Sequence, residues 1–435
     1  MEKEKFSKQW LKQNKKLVAV VCIVLFFYIQ TIIKMINNFN NAQLDQKDMY
    51  DFTYGAKILL EGKNPYSTYD LHTRNHPPGI FFLYAFLILI FGEEYESLKI
   101  PTYLFVIFTA ISIFYLTKYL LNVASSNRNI VPLKENIRSP SSRYLEKNVK
   151  VNWTNDYFSL LPWITSLLYL MDAAVQDRYA EGSYEAFTAF FFFLGFIFFF
   201  RNQHVLASFF WGISTIIQLV AFFMWPFLLL YFIKQKNWKL FAIYFGVIFS
   251  MVTISFLPFL VEDFHSTLSG FLLLASRETT NYSFFWFYPD ETKNQFYRHI
   301  IPGISFWFLV QISVYSLVVL CLLLKKTTSK HNLLNSIFII YFTLPVLTNS
   351  YGIRFLNWLA PVFYVYYVLR KKYVLVFLFY YMSTFTIRWF FSYYIDYPWL
   401  MVFGAYFFSI SIMISLIFDM DSKKKFSGQL QKGGL

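Results

Sequence analysis

DMYDFTYGAKILLEGKNPYSTYDLHTRNHPPG, residues 48–79, lies between two apolar runs yet is itself rich in charge, tyrosine, proline and glycine. Two carboxylates, Asp48 and Asp51, stand one helical turn apart, so a helix through them carries both on one face. The continuation AKILLEGKNPY reads as a short helix that Gly62 stops and Pro65 turns. His76-Pro77-Pro78 then stands at the mouth of the next apolar run. Proline's fixed φ and missing donor suit the place where a loop enters a helix. The remainder of the chain reads as a scaffold that holds this segment in place.

That scaffold is apolar. Of 435 residues, 57% are hydrophobic and 15% charged, whereas a soluble domain has about a quarter of its residues charged. The composition predicts an all-α polytopic membrane protein. A formal net charge of +14 invites nucleic acid, but the basic residues cluster in loops beside hydrophobic segments, which is how topology is set. Cys22 and Cys321 both fall in apolar runs and offer neither a disulfide framework nor a metal spacing. The first apolar run, 17–36, is long enough to span and lacks a small-residue cleavage site, so it is expected to remain as an anchor.

Lys3, Lys5, Lys8, Lys12, Lys15 and Lys16 place the N-terminus in the cytoplasm, and the first span delivers 38–78 outside. Spans are expected near 79–92 and 101–121, with Pro101 opening the second. The stretch 122–157, carrying Arg128, Lys134, Arg138, Arg143, Lys147 and Lys150, is expected as a solvated cytoplasmic insertion. A run over 158–171 leads to a second polar island with Asp172, Asp177, Arg178 and Glu181, and 186–200 crosses back to Arg201. Residues 205–233 begin and end beside basic residues, which predicts a hairpin of two short or broken helices, with Gln218 near its tip and Pro226 suiting the break. A span over 240–261 reaches a third outer loop, 262–302. Spans near 303–324, 332–348, 355–369, 372–391 and 398–418 follow, giving about 11–13 crossings in one domain, 1–435, with a cytoplasmic C-terminus.

Charge on the outer side is sparse, mixed in sign and set among aromatics, which is where chemistry is expected. Asp51, flanked by Tyr50, Phe52 and Tyr54, suits a general base, since burial strengthens a carboxylate's hold on a proton. Capping the following helix accounts for it equally well. Asp48 is its supporting partner. Arg74, Arg277, Arg354 and Arg388 all map outside, and arginine's planar fork favours phosphate. Arg354 is the preferred phosphate ligand; Arg388 reads as lipid-facing. His76 is a packed residue or a phosphate contact. Glu185 opens a helix, where a carboxylate is favourable in its own right.

The order Asp51, Tyr54, Gly62, Pro65, Tyr66, followed by the proline pair, resembles the GT-C superfamily of multispan glycosyltransferases. It is most similar to polyprenyl-phosphate-mannose-dependent mannosyltransferases, and also to the first GPI mannosyltransferase of eukaryotes. The likeness continues through EGSYEAFTAFFFFLGFIFFFRNQHVLASFFWGIS and NSYGIRFLNWLAPVF, in the same order along most of the membrane region. Two positions depart from the pattern: His76 stands where an aromatic is common, and Gln218 where a lysine is common.

The resemblance implies an inverting transferase on the extracytoplasmic face with Asp51 as base and Asp48 and Glu185 as supporting acids. Arg354, Arg277 and His76 would hold the donor phosphate, and Tyr54, Tyr66 and Asn357 would contact substrate. The partners implied are a lipid-linked sugar, a glycolipid or glycan acceptor and membrane lipids; no cofactor, metal or nucleic acid is expected. Two other classes stay open at this point, a polymerase or ligase moving a preassembled glycan, and a transporter. A transporter would concentrate its polar residues at mid-membrane.

Overall fold

The computed structural model describes residues 15–41, 46–67, 76–129, 155–172, 175–176, 184–218, 221–273, 299–301, 304–305, 330–347, 358–393 and 410–417, with single positions at 313, 316, 320 and 407. The described chain is helical, as composition requires. Helix α1 covers Lys15–Asn41, α2 Gln46–Leu60, α3 Pro78–Phe91 and α4 Tyr95–Asn129. Next come α5 (Asn155–Met171), α6 (Glu185–Phe200), α7 (His204–Ile217), α8 (Trp225–Lys234), α9 (Trp238–Glu262) and α10 (Phe264–Leu273). Then follow α11 (Lys330–Leu347), α12 (Ala360–Leu369) and α13 (Tyr373–Tyr393), and residues 410–417 are also helical. One departure from an all-helical chain is a small antiparallel hairpin, β1 (His299–Ile301) with β2 (Ile304–Ser305), in which His299 pairs Ser305 and Ile301 pairs Ile304.

Among the described residues three segments are long and apolar enough to cross a membrane: Val18–Asn37, Ser97–Asn122 and Trp238–Glu262. The 27 residues of α1 rise about 40 Å, more than the ~30 Å of hydrocarbon in a bilayer. Large apolar side chains face outward along these helices, Phe26 at 57% and Ile254 at 69% exposure. A soluble surface does not carry stripes of this kind, whereas lipid tails receive them without cost.

The centre of the bundle is α7, packed against α6 and α9. The run FFFFLGFIFFF buries Phe192, Phe193 and Phe196 completely. Gly195 in its middle lets Trp211 of α7 lie flat on the helix; a Cβ there would stand 2.2 Å from the Trp211 ring. The indole is pinned by its Nε1–H, which donates to the Phe192 carbonyl at 3.0 Å. Helices α6 and α7 are joined by a three-residue turn in which Asn202 takes φ 58°, a left-handed position asparagine tolerates. At the far side, α12 packs on α11 and α13 through Phe363, which stacks on Phe379 at 4.5 Å.

Several expected boundaries move. Pro101 lies inside α4, which begins at Tyr95, so it does not open that helix. The insertion expected over 122–157 is helical at both ends, to Asn129 and from Asn155, and its centre, 130–154, lies outside the described residues. The loop expected over 262–302 contains α10 and the first strand of the hairpin. The break expected within 205–233 is there: α7 stops at Ile217, a 3-10 turn covers Ala221–Met224, and α8 restarts with Pro226 in its first turn. The spans expected near 303–324 and 398–418 lie largely outside the described residues.

Gly195→Ala forces a methyl into the fixed Trp211 ring and is expected to cost about 1–3 kcal/mol. Gly246→Ala, in α9 with nothing within 4 Å of the added carbon, should leave stability unchanged or raised. Thermal melting in detergent checks both; equal midpoints for the two variants would show that Gly195 is not a packing position.

Candidate functional site

Helix α2 carries Asp51, which is 8% exposed, and beside it Phe52, at 1%. Phe52 packs edge-on against His76 at 4.6 Å and Tyr184 at 4.8 Å, and tilts against Tyr84 at 5.4 Å. Four residues after Asp51, Gly55 meets Phe81 of α3, where a Cβ would lie 2.5 Å from the ring. Positions i and i+4 share a helix face, so Asp51 lies on the face α2 turns toward α3. Tyr54 lies on the open side, 39% exposed, stacked on Tyr50 at 6.1 Å. Asp48 belongs to the same helix; its side chain lies outside the described residues.

The turn after α2 is built to hold His76. Gly62 takes φ 75°, a position that needs glycine, and Asn64 folds back to accept from the Tyr66 amide at 2.9 Å. The Asn64 amide donates to the Phe259 carbonyl at 3.3 Å, tying the turn to the end of α9. Tyr66 is fully buried, and its hydroxyl donates to the His76 carbonyl at 2.6 Å. This hydrogen bond ties the turn to the entry to α3. Pro77 is the cap of α3 and Pro78 its first residue, as the proline pair predicts. Gly79 lets this helix start sit on the end of α7, since a Cβ there would lie 2.4 Å from the Ile216 carbonyl oxygen.

Glu185, 2% exposed, opens α6 directly after Tyr184. The Tyr184 hydroxyl accepts from Gln218 Nε2 at 3.2 Å. The starts of α3 and α6 and the end of α7 therefore meet around Phe52, His76 and Tyr184, beside Asp51. Arg277, Arg354 and Asn357 lie outside the described residues, as do Arg74 and the side chain of Arg388. No group of three potential metal ligands occurs among the described residues.

One acid has surroundings quite unlike those of an outer polar island. Asp172, at the end of α5, is fully buried. It accepts from the Tyr364 hydroxyl at 2.6 Å and the Ser383 hydroxyl at 2.5 Å, so it joins α5 to α12 and α13. Close by, Lys34 of α1 donates to Gln176 at 2.7 Å. The only sequence signal for this cluster is an acid at a helix end facing tyrosine-rich helices.

At the third corner, Asp263 caps α10. Its carboxylate accepts from the Ser266 amide at 2.9 Å and from the Ser67 hydroxyl at 3.2 Å. The Ser266 hydroxyl and amide, with Ser67, hold it below its ordinary value of 3.8. No protein-family model and no curated protein matches this chain.

Tyr364→Phe leaves a buried carboxylate short of one donor and is expected to destabilise by about 1.5–3 kcal/mol, read as a lowered thermal midpoint. For Asp263, a depressed carboxylate stabilises above its ordinary value and loses that contribution as pH falls through the lower folded value. Amide exchange at Ser266, whose N–H donates to the carboxylate, should therefore stay protected from neutral pH down through the ordinary carboxylate range and lose protection only below it. Asp263→Ala should remove that protection at every pH; protection surviving in this variant would show that Asp263 is not the cap.

Proposed function

We propose that this chain is an inverting glycosyltransferase acting at the extracytoplasmic face of a membrane. It moves a single sugar, mannose by the resemblance, from a polyprenyl-phosphate donor to a lipid or glycan hydroxyl. The observation that carries this reading is Asp51: a buried carboxylate on a short helix next to a ring of aromatic side chains, where several helix ends converge.

In this reading the acceptor hydroxyl gives its proton to Asp51 while its oxygen attacks the anomeric carbon. The bond from that carbon to the phosphate oxygen breaks on the opposite side, and lipid phosphate leaves with the electron pair and inverted configuration. Arg354, Arg277 and His76 stabilise the departing phosphate, Tyr54 and Asn357 contact sugar, and Glu185 supports the base electrostatically. A base so positioned supplies about a hundred- to ten-thousandfold in rate.

The topology that goes with it differs from two full crossings near 79–92 and 101–121. Helix α3 has 14 residues and rises about 21 Å, short of the ~30 Å it would have to cross. Just beyond its far end, Glu93 pairs with Lys57, near the end of α2, at 2.5 Å. In this reading both ends of α3 stay with α2 on the outer side, and α4 is the return crossing. That orientation puts the basic 122–157 insertion inside, on the side of the basic N-terminus; two crossings would have left it outside.

Asp51→Asn is expected to keep expression and donor binding while transfer from a polyprenyl-phosphate sugar falls at least about a hundredfold. Transfer by this variant at the wild-type rate would remove Asp51 from the role of base.

A further inference from the structure

The break between α7 and α8 holds a polar group that the reaction above does not use. Gln218 caps α7 and is 8% exposed. One end of its amide is satisfied, Nε2 donating to the Tyr184 hydroxyl at 3.2 Å. The other end, Oε1, is buried and has no hydrogen-bond partner among the described residues. Buried amide oxygens are almost always bonded, because burial strips water from them and leaves an unmet acceptor. At a helix break, where the chain stops and restarts, an apolar side chain would have filled this space with no such penalty. A polar group kept in this state marks a place where a donor arrives from elsewhere.

The surroundings indicate what arrives. Tyr184 links Gln218 to the site: its ring lies 4.8 Å from Phe52, the neighbour of Asp51, and 6.2 Å from His76. Aromatic faces with a few fixed polar groups are the usual lining of a small-molecule pocket. Gln218 shares Tyr184 with His76, which is on the donor-phosphate side of the proposed reaction. The group presented to Gln218 would then belong to the sugar being transferred and not to the acceptor that Asp51 deprotonates.

We propose that Gln218 is a specificity-determining residue whose Oε1 accepts a hydrogen bond from one hydroxyl of the transferred sugar. A hydroxyl both donates and accepts, so it fits this end of the amide, while the aromatic rings give the sugar an apolar wall. A site that bonds a substrate hydroxyl rejects the analogue lacking it by orders of magnitude, since its own buried group is then left unpaired. This assignment rests on the glycosyl-transfer reading.

The test uses full-length protein in lipid nanodiscs, short-chain polyprenyl-phosphate hexoses and their singly deoxygenated analogues, with extracted membrane lipids as acceptors. The readout is kcat/KM for release of polyprenyl phosphate. In the wild-type protein one deoxy position is expected to be rejected by at least about a hundredfold. Gln218→Leu should slow the natural sugar and bring that one analogue to within about tenfold of it, leaving the other analogues' ratios in place.

Tyr184→Phe removes the same internal hydrogen bond but keeps the Gln218 amide, so it should retain the discrimination whatever it does to the rate. Equal loss for all sugars in Gln218→Leu, or the same pattern in Tyr184→Phe, would overturn the assignment and leave glycosyl transfer standing. A wild-type protein that releases lipid phosphate from none of these donors would overturn glycosyl transfer, and the role of Gln218 with it.

Discussion

Hydrocarbon offers a backbone no hydrogen bonds, and this constraint governs the rest of the molecule. Inside a membrane each peptide group must be satisfied within its own segment, which leaves the helix as the solution for an open chain. Irregular backbone is then confined to the surface or to places walled by protein. Here the helix ends of α3, α6 and α7 gather around Phe52, His76 and Tyr184. Gly62, with its left-handed backbone, and the polar side chains Gln218 and Glu185 stand near these helix ends. Only there can the chain expose functional groups that a regular helix would tie up.

The same constraint explains how buried polar side chains are treated elsewhere. Thr165 bonds both the Leu161 carbonyl of its own helix and the Thr117 hydroxyl of α4. Asn335 of α11 accepts from the Tyr367 hydroxyl at 2.7 Å. Asp172 takes two hydroxyl donors from two helices. These contacts act as cross-links between helices that have little hydrophobic reason to prefer each other in lipid. Packing of small against large adds to them, as where Gly195 admits Trp211 and Gly212 admits Met251. Gln218, beside the proposed site, has its hydrogen bonding completed at one end only among the described residues.

Much of the helical architecture was legible from residue type alone. Apolar runs gave the helices, the Pro77–Pro78 pair gave the start of α3, and Gln218 with Pro226 gave the interruption before α8. These features are local, fixed by proline geometry and by the length of an apolar stretch. Helix ends were read less well where the signal was ambiguous. Pro101 looked like a first-turn proline, yet α4 extends one and a half turns ahead of it. The ends of the 122–157 insertion looked solvated and are helical.

By itself, then, the sequence determined that this chain is a bundle of apolar helices, and where polar segments interrupt it. It also singled out Asp51 as an acid among aromatics and His76 as the residue before a helix start. Only the tertiary structure decided the partnerships. Asp172 meets donors 192 and 211 positions away, and it looked like one charge among several in an outer island. Tyr66, expected at the substrate, donates its hydroxyl to the His76 carbonyl. Gln218, marked as a break, bonds Tyr184 through one end of its amide, and the other end has no partner among the described residues. Helix formation depends on neighbours a turn apart, which the order of residues lists directly. Hydrogen bonds between helices depend on which faces pack together, and that is settled only when the whole bundle closes.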